Sequence, residues 1–214
     1  MVIVNKKFFN ILLDWKGSTI SGTDLCHILN KSPDSRFGII KRSVQEGLLL
    51  PIRKDFYLIG SILHKDPIDF FSIAPIIYGP SYISFESALS YHGWIPEAVR
   101  SITCAHLKKS KEFITPVGVF SYKHIPSKDF SLGVNQYEKK RMILFIADPW
   151  RALADMIYAN KKNWKTLKDL SSDLRIEKES FEHSDQVLLE DLIKYYPSLR
   201  VRNVLKRLQK GFLL

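Results

Sequence analysis

Two capped helices and a basic hairpin between Ile20 and Ile59, strand-like runs between Ser101 and Ile146, and a return to helical spacing after Pro149 predict an α+β fold. In more detail, the pattern predicts a winged helix-turn-helix over 1–62 and a connector over 63–81. Over 82–214 it predicts a mixed domain whose mostly antiparallel sheet is flanked by helices, the last of them basic.

Lys6 and Lys7 precede Phe8-Phe9-Asn10-Ile11-Leu12-Leu13, a run broken by Asp14 and Lys16. It is too short and too polar for a signal peptide or membrane span and is expected to be a first amphipathic helix. The next helix starts at Ser21, whose hydroxyl can accept from first-turn amides, with Asp24 three residues on as in a capping box. Leu25, Ile28 and Leu29 follow at helical spacing. Ser32, Pro33 and Asp34 start a further helix running to about Glu46, where Gly47 tolerates positive φ. Leu48–Ile52 and Phe56–Ile59 then flank an Arg53-Lys54-Asp55 turn, a hairpin with two cations at its tip.

On a helical wheel, Phe37, Ile40 and Val44 cluster and are expected to face the core. The opposite face carries Ser35, Arg36, Ile39, Arg42 and Ser43, with Lys41 nearby. Together with Arg53 and Lys54 these are the candidate contacts to double-stranded DNA. Arg reads guanine edges, Ser bonds phosphate or base, and Ile39 would meet a thymine methyl or form an interface.

The 214 residues carry 32 cations and 22 carboxylates, a net charge of +10 that attracts polyanions. The excess is spread as +3, +4 and +3 over 1–70, 71–147 and 148–214. No long basic amphipathic helix or lipidation motif supports a membrane partner. Cys26 and Cys104 lack CxxC spacing and are expected to be reduced core thiols of a cytoplasmic protein.

Past Gly60, Asp66-Pro67 is expected to start a short helix, and Pro75, Gly79 and Pro80 to break the connector. Ser84 is expected to cap a helix through Phe85, Ala88, Leu89 and His92 that stops at Gly93, with His92 against its last carbonyls. Strands are expected at Ser101–Leu107, Phe113–Ile114, Gly118–His124 and Arg141–Ile146. Helices follow after Pro149, around Leu167–Leu174, at Val187–Tyr195, and after Pro197 with Val201, Leu205, Leu208 and Phe212 inward. In that last segment Arg202, Lys206 and Lys210 fall at i, i+4 and i+8, a possible second basic surface for nucleic acid or an acidic partner.

The run YISFESALSYHGWIPE (Tyr82–Glu97) resembles the signature of the AbiEi family, antitoxins of type IV toxin–antitoxin systems, in which it follows an N-terminal winged helix. Gly118–Tyr122 and Ile146–Asp155 also resemble the family, although Trp150 and Arg151 stand where its members carry an acidic residue and a Lys. The resemblance covers residues 3 to about 160. It implies a DNA-binding autorepressor that recognises an inverted repeat in its own promoter. It also implies an antitoxin that counteracts a nucleotidyltransferase-type toxin without a stable complex. Under it the cations Arg36, Lys41, Arg42, Arg53 and Lys54 correspond to DNA-contacting positions, and no catalytic residue, metal ligand or cofactor site carries over.

A DNA-binding regulator with no toxin partner is one alternative. Another is a Mg²⁺-dependent nuclease of restriction type, since Glu138 and Lys140 share a strand face with Asp129 upstream. Histidines 27, 64, 92, 106, 124 and 183 form no HxxxH or HExxH pair, and no phosphate loop or G-x-S-x-G occurs.

Overall fold

The computed structural model describes residues 6–63, 69–96, 100–125, 129–139 and 142–211. The chain divides into two compact units, Met1–Asp69 with Phe113–Gly118, and Phe70–Glu112 with Val119–Leu214. Across both sheets the strand pairing is mostly antiparallel, so the fold is α+β. Among the described residues no helix is long and apolar enough to cross a membrane.

In the first unit α1 (Lys6–Asp14) buries Phe8 and Leu12. A three-residue strand, β1 (Thr19–Ser21), follows; it is too short to show alternation in sequence. Ser21 then caps α2 (Gly22–Leu29) reciprocally: its Oγ accepts from the Asp24 amide at 3.1 Å while the Asp24 carboxylate accepts from the Ser21 amide at 2.9 Å. The Ser21 hydroxyl and amide hold the Asp24 carboxyl below its ordinary pKa. The third helix, α3 (Pro33–Gln45), has Pro33 in its first turn, but the Ser32 hydroxyl donates to Ser35 Oγ at 3.0 Å instead of capping. The strands β2 (Leu49–Arg53) and β3 (Phe56–Ile59) form the hairpin, and β1 adds antiparallel to β3 to give the order β1-β3-β2. Phe8, Leu12, Ile20, Leu25, Leu29, Ile39, Leu48, Leu49, Ile59 and Leu63 make one core.

The turn out of β3 has no room for a side chain. The Gly60 amide donates to Leu48 O at 2.9 Å, and a Cβ there would lie 1.9 Å from Gly47 O. Gly60→Ala is therefore expected to destabilise the first unit by at least about 2 kcal/mol in chemical denaturation, because the clash is with backbone.

The second unit opens with α4 (Phe70–Ile77) and β4 (Ser81–Ile83), followed by α5 (Phe85–Tyr91) and β5 (Ser101–His106). Along the chain then come β6 (Lys111–Thr115), whose residues from Phe113 on group with the first unit, β7 (Gly118–His124), β8 (Val134–Lys139) and β9 (Met142–Ala147). Five helices close the chain: α6 (Pro149–Ala159), α7 (Leu167–Leu174), α8 (Lys178–Glu182), α9 (Gln186–Tyr195) and α10 (Leu199–Lys210). The sheet order is β6-β7-β5-β4-β9-β8. Within it β4 runs antiparallel to β5 and parallel to β9, β5 is parallel to β7, and β8 is antiparallel to β9.

Three expectations need correction. Pro75 does not break the chain but sits inside α4, where burial of Ser72, Ile73, Ala74 and Ile77 offsets the missing amide donor. Ser84 stands at the N-cap of α5, yet its hydroxyl makes no cap bond. The His92 amide donates to Ala88 O at 3.1 Å, but its ring is engaged elsewhere: Nε2 lies 3.0 Å from Ala147 O, where burial lowers the imidazole pKa and favours the neutral ring. The expected helix start at Asp66-Pro67 and the inward Phe212 lie outside the described residues.

The Ser84 hydroxyl is engaged by a buried charge network. Arg151 and Asp155, an i, i+4 pair on α6, are 1% and 0% exposed and joined by Nε to Oδ1 at 3.0 Å. Asp155 Oδ1 also accepts from Tyr196 Oη at 3.1 Å, and Oδ2 from Tyr82 Oη at 2.7 Å and Ser84 Oγ at 2.8 Å. Arg151 Nη2 donates to Tyr82 Oη at 2.7 Å, and Nη1 to Leu132 O at 2.8 Å and Asp129 O at 3.3 Å. Its guanidinium lies 5.4 Å and 5.3 Å from the Tyr82 and Tyr196 ring centres. Burial is the largest single influence and opposes the Arg151 charge, but Asp155 together with Tyr82 and Tyr196 outweighs it and the pKa ends above its usual value. Burial, with Asp155 close by, raises both tyrosine pKa values.

Removing one partner strands the other charge without water. Asp155→Asn is expected to cost about 3–5 kcal/mol, whereas Arg151→Met combined with Asp155→Leu should cost less than the sum of the two single changes. A double-mutant cycle by denaturant unfolding measures this.

Candidate nucleic-acid interface

The first unit offers a wide groove of about 1120 Å³ between α2, α3 and the β2–β3 hairpin. Its walls include Cys26 from α2, Arg36, Phe37, Ile40, Lys41 and Val44 from α3, and Arg53, Lys54, Phe56 and Tyr57 from the hairpin. At the hairpin tip Asp55 takes φ 55°, in the left-handed region that short polar side chains tolerate. Its carbonyl accepts from the Gly22 amide at 2.8 Å, which fixes the turn against the start of α2. A β-irregularity between Pro51 and Arg53 precedes the turn, and the Arg53 guanidinium lies 4.8 Å from the Phe56 ring centre. The groove is thus an apolar floor rimmed by cations.

The orientation of α3 differs from the expected one. Ile39 and Ser43, proposed as DNA contacts, are only 6% and 2% exposed; Ile39 joins the core and Ser43 O accepts from the Leu48 amide at 2.9 Å. Phe37, expected inside, is 68% exposed. The inward arc runs through Ile39 and Ser43 with Ile40 and Val44 half-buried at its edge. At about 100° per residue the face centred on Phe37, Ile40 and Val44 lies roughly a third of a turn from the one centred on the buried Ile39 and Ser43, so placing Phe37 in the core and Ile39 outside turned the helix away from its observed facing.

Of the remaining candidates, Ser35, Lys41 and Arg42 are exposed on α3 and Arg36 is half-buried at the groove wall. Arg42 is steadied by Nε donation to Gly38 O at 3.1 Å. Arg53 and Lys54 are exposed at the hairpin tip. The structure therefore brings Arg36, Lys41, Arg53 and Lys54 to one groove and keeps Ser35 and Arg42 on the outer side of α3. Cys26, expected in the core, is an exposed thiol on that groove; Cys104 is buried, and burial pushes its thiol pKa up.

In the second unit Lys206 and Lys210 are exposed, but Arg202 does not complete a stripe with them. It is half-buried, and its Nη1 donates to Lys194 O at 3.3 Å at the end of α9. Glu138 is exposed on β8, at the edge of the sheet opposite Ile143; Asp129 is exposed and its carbonyl serves Arg151; Lys140 lies outside the described residues. Among the described residues no group of three His, Cys, Asp or Glu side chains is placed to hold a metal ion.

No protein-family model matches the chain, and no curated protein matches it. The resemblance noted for Tyr82–Glu97 thus rests on the sequence run itself. Its residues are structural in position: Tyr82 and Ser84 bond Asp155, Ser87 Oγ accepts from the Thr103 amide at 2.8 Å, and Ala88 and Leu89 are buried.

The orientation of α3 is open to a direct check. Ile39→Ala is expected to lower the stability of the first unit by about 2–4 kcal/mol, while Phe37→Ala should stay within about 0.5 kcal/mol. Thermal or denaturant unfolding of the two variants reads the difference.

Proposed function

We propose that the first unit is a winged helix-turn-helix and that the protein is a DNA-binding transcriptional autorepressor. The observation that carries this reading is the arrangement of α2, α3 and the β2–β3 hairpin, with β1 completing the sheet and cations on the exposed face of α3 and at the hairpin tip. In this reading α3 enters the major groove, Arg42 and Ser35 face base edges, and Lys41, Arg53 and Lys54 neutralise phosphates. The exposed Phe37 takes the role first given to Ile39, contact with a thymine methyl. The net charge of +10 supports a polyanionic partner.

The Tyr82–Glu97 run supports a second assignment, that of an antitoxin in a type IV toxin–antitoxin system, opposing a nucleotidyltransferase-type toxin without holding it in a stable complex. Such a protein acts in the cytoplasm on its own promoter.

A gel-shift titration against the protein's own upstream region, with scrambled DNA of equal length as competitor, tests the repressor. We expect a retained complex on the native sequence and, if four to six phosphates are neutralised, a log K against log salt slope of about −4 to −5. Arg42→Ala should cost about 1–3 kcal/mol and relax base preference, whereas Lys54→Ala should weaken all duplexes alike. Unchanged affinity in both variants would remove the assignment. Survival of cells that co-express this chain with the neighbouring toxin gene tests the antitoxin.

A further inference from the structure

The second unit carries a basic surface that the proposed repressor leaves unused. Residues 158–165 and 199–210 contain eight cations (Lys161, Lys162, Lys165, Arg200, Arg202, Lys206, Arg207 and Lys210) and no Asp or Glu. The structure brings these two segments together as the walls of two adjoining shallow concavities, each of about 560 Å³, that share Asn163 and Arg200. Tyr158 and Lys161 line one; Asn203, Lys206, Arg207 and Lys210 line the other.

The cations divide by what already holds them. Arg200 is fixed across the end of α6 by Nη2 donation to Ile157 O at 2.5 Å and Tyr158 O at 3.0 Å, and by Nη1 donation to Lys162 O at 3.3 Å. Arg207 is fixed by Asn163, whose Oδ1 accepts from its Nη2 at 2.6 Å. Lys162 is paired with Asp173 at 2.6 Å. Lys161, Lys206 and Lys210 are exposed and have no carboxylate partner among the described residues. Two held guanidinium groups with a free NH each and three loose ammonium groups line one continuous depression. Held arginines lose little side-chain entropy on meeting an anion, so they suit repeated phosphates.

We propose that this depression is a binding site for single-stranded nucleic acid. The inward face of α10 (Val201, Val204, Leu205 and Leu208) is buried, which leaves its cations on the outward side of the helix. Its outward positions Asn203, Lys206, Arg207 and Lys210 repeat at three and four residues, a rise of about 6 Å per four residues that matches neighbouring phosphates along one strand. The half-buried Tyr158 lines the far end, and a cationic groove with an aromatic residue beside it is the composition of a single-strand site. The ligand chemistry is a run of phosphodiesters with at least one unstacked base. RNA and single-stranded DNA share it, and the side-chain amides of Asn163 and Asn203 favour the 2′-hydroxyl of RNA.

The inference stands on the second unit alone and is independent of the repressor reading. Fluorescence anisotropy of the full chain against a labelled 20-nucleotide RNA, the same sequence as single-stranded DNA, and its duplex tests it. Lys206→Ala with Lys210→Ala is expected to weaken single-strand binding about tenfold and to flatten the salt slope by about 1.4, the release from two single-strand phosphates. The same variant should hold the duplex within about twofold. Tyr158→Leu should weaken the single strand with an unchanged salt slope, because stacking releases no counterion. Tighter binding of RNA than of single-stranded DNA assigns the site to RNA, and equal binding assigns it to backbone and base faces. Unchanged single-strand affinity in the lysine variant, or an equal loss on the duplex, would overturn the proposal.

Discussion

Arg151 and Asp155 are two full charges taken out of water, and much of the second unit is arranged to make that tolerable. A lone buried ion costs several kcal/mol, and an ion pair recovers the cost only when its remaining donors and acceptors are also met. Here both carboxylate oxygens accept two hydrogen bonds each, and the guanidinium donates to the carboxylate, a phenol and two carbonyls. The partners come from β4, the start of α5, the 129–132 turn and the residue after α9, segments separated by as many as 73 positions from the carboxylate they serve. Such a network gives little net stability over an apolar core, but it makes misassembly expensive. Any arrangement that displaces one of those segments leaves a charge or a hydroxyl unpaired.

This explains why two sequence runs stood out. Tyr82 and Ser84 belong to one and Arg151 and Asp155 to the other, and their side chains meet in the network. The departures from the AbiEi pattern at 150 and 151 also have places in this chain. Trp150 is fully buried, with its ring 5.7 Å from Trp94 and 6.0 Å from Phe181, and Arg151 supplies a planar fork that a Lys could not reproduce. In both runs the buried side chains serve as scaffolding.

Local signals carried most of the fold that was legible beforehand. The Ser21–Asp24 capping box, Pro33, Gly47 and the apolar runs of β5, β7 and β9 act within a few residues, so they can be read in one dimension. What escaped depends on distance. β4 has three residues, and β8 is a polar edge strand whose partner alone defines it. Nothing local marks the i, i+4 Arg151–Asp155 pair as buried; the burial of α6 from Pro149 to Ile157 is set by packing against distant segments. Arg202 reads as one of a stripe until the end of α9 claims it. For the candidate interface the cations at 36, 41, 42, 53 and 54 were legible from charge and order. The facing of α3 was not, because Phe37 and Ile39 compete for the core and only packing decides.

The first unit presents a helix whose exposed side chains, Lys41, Arg42 and Phe37, lie beside a short hairpin held to α2 at its tip, and this is the surface proposed to meet DNA. Backbone hydrogen exchange of the full protein, with and without a duplex from its upstream region, tests this placement most directly. The account predicts slowed exchange concentrated in residues 33–45 and 51–57, where α3 and the hairpin would be covered. Protection confined to the second unit, or none in α3, would contradict it.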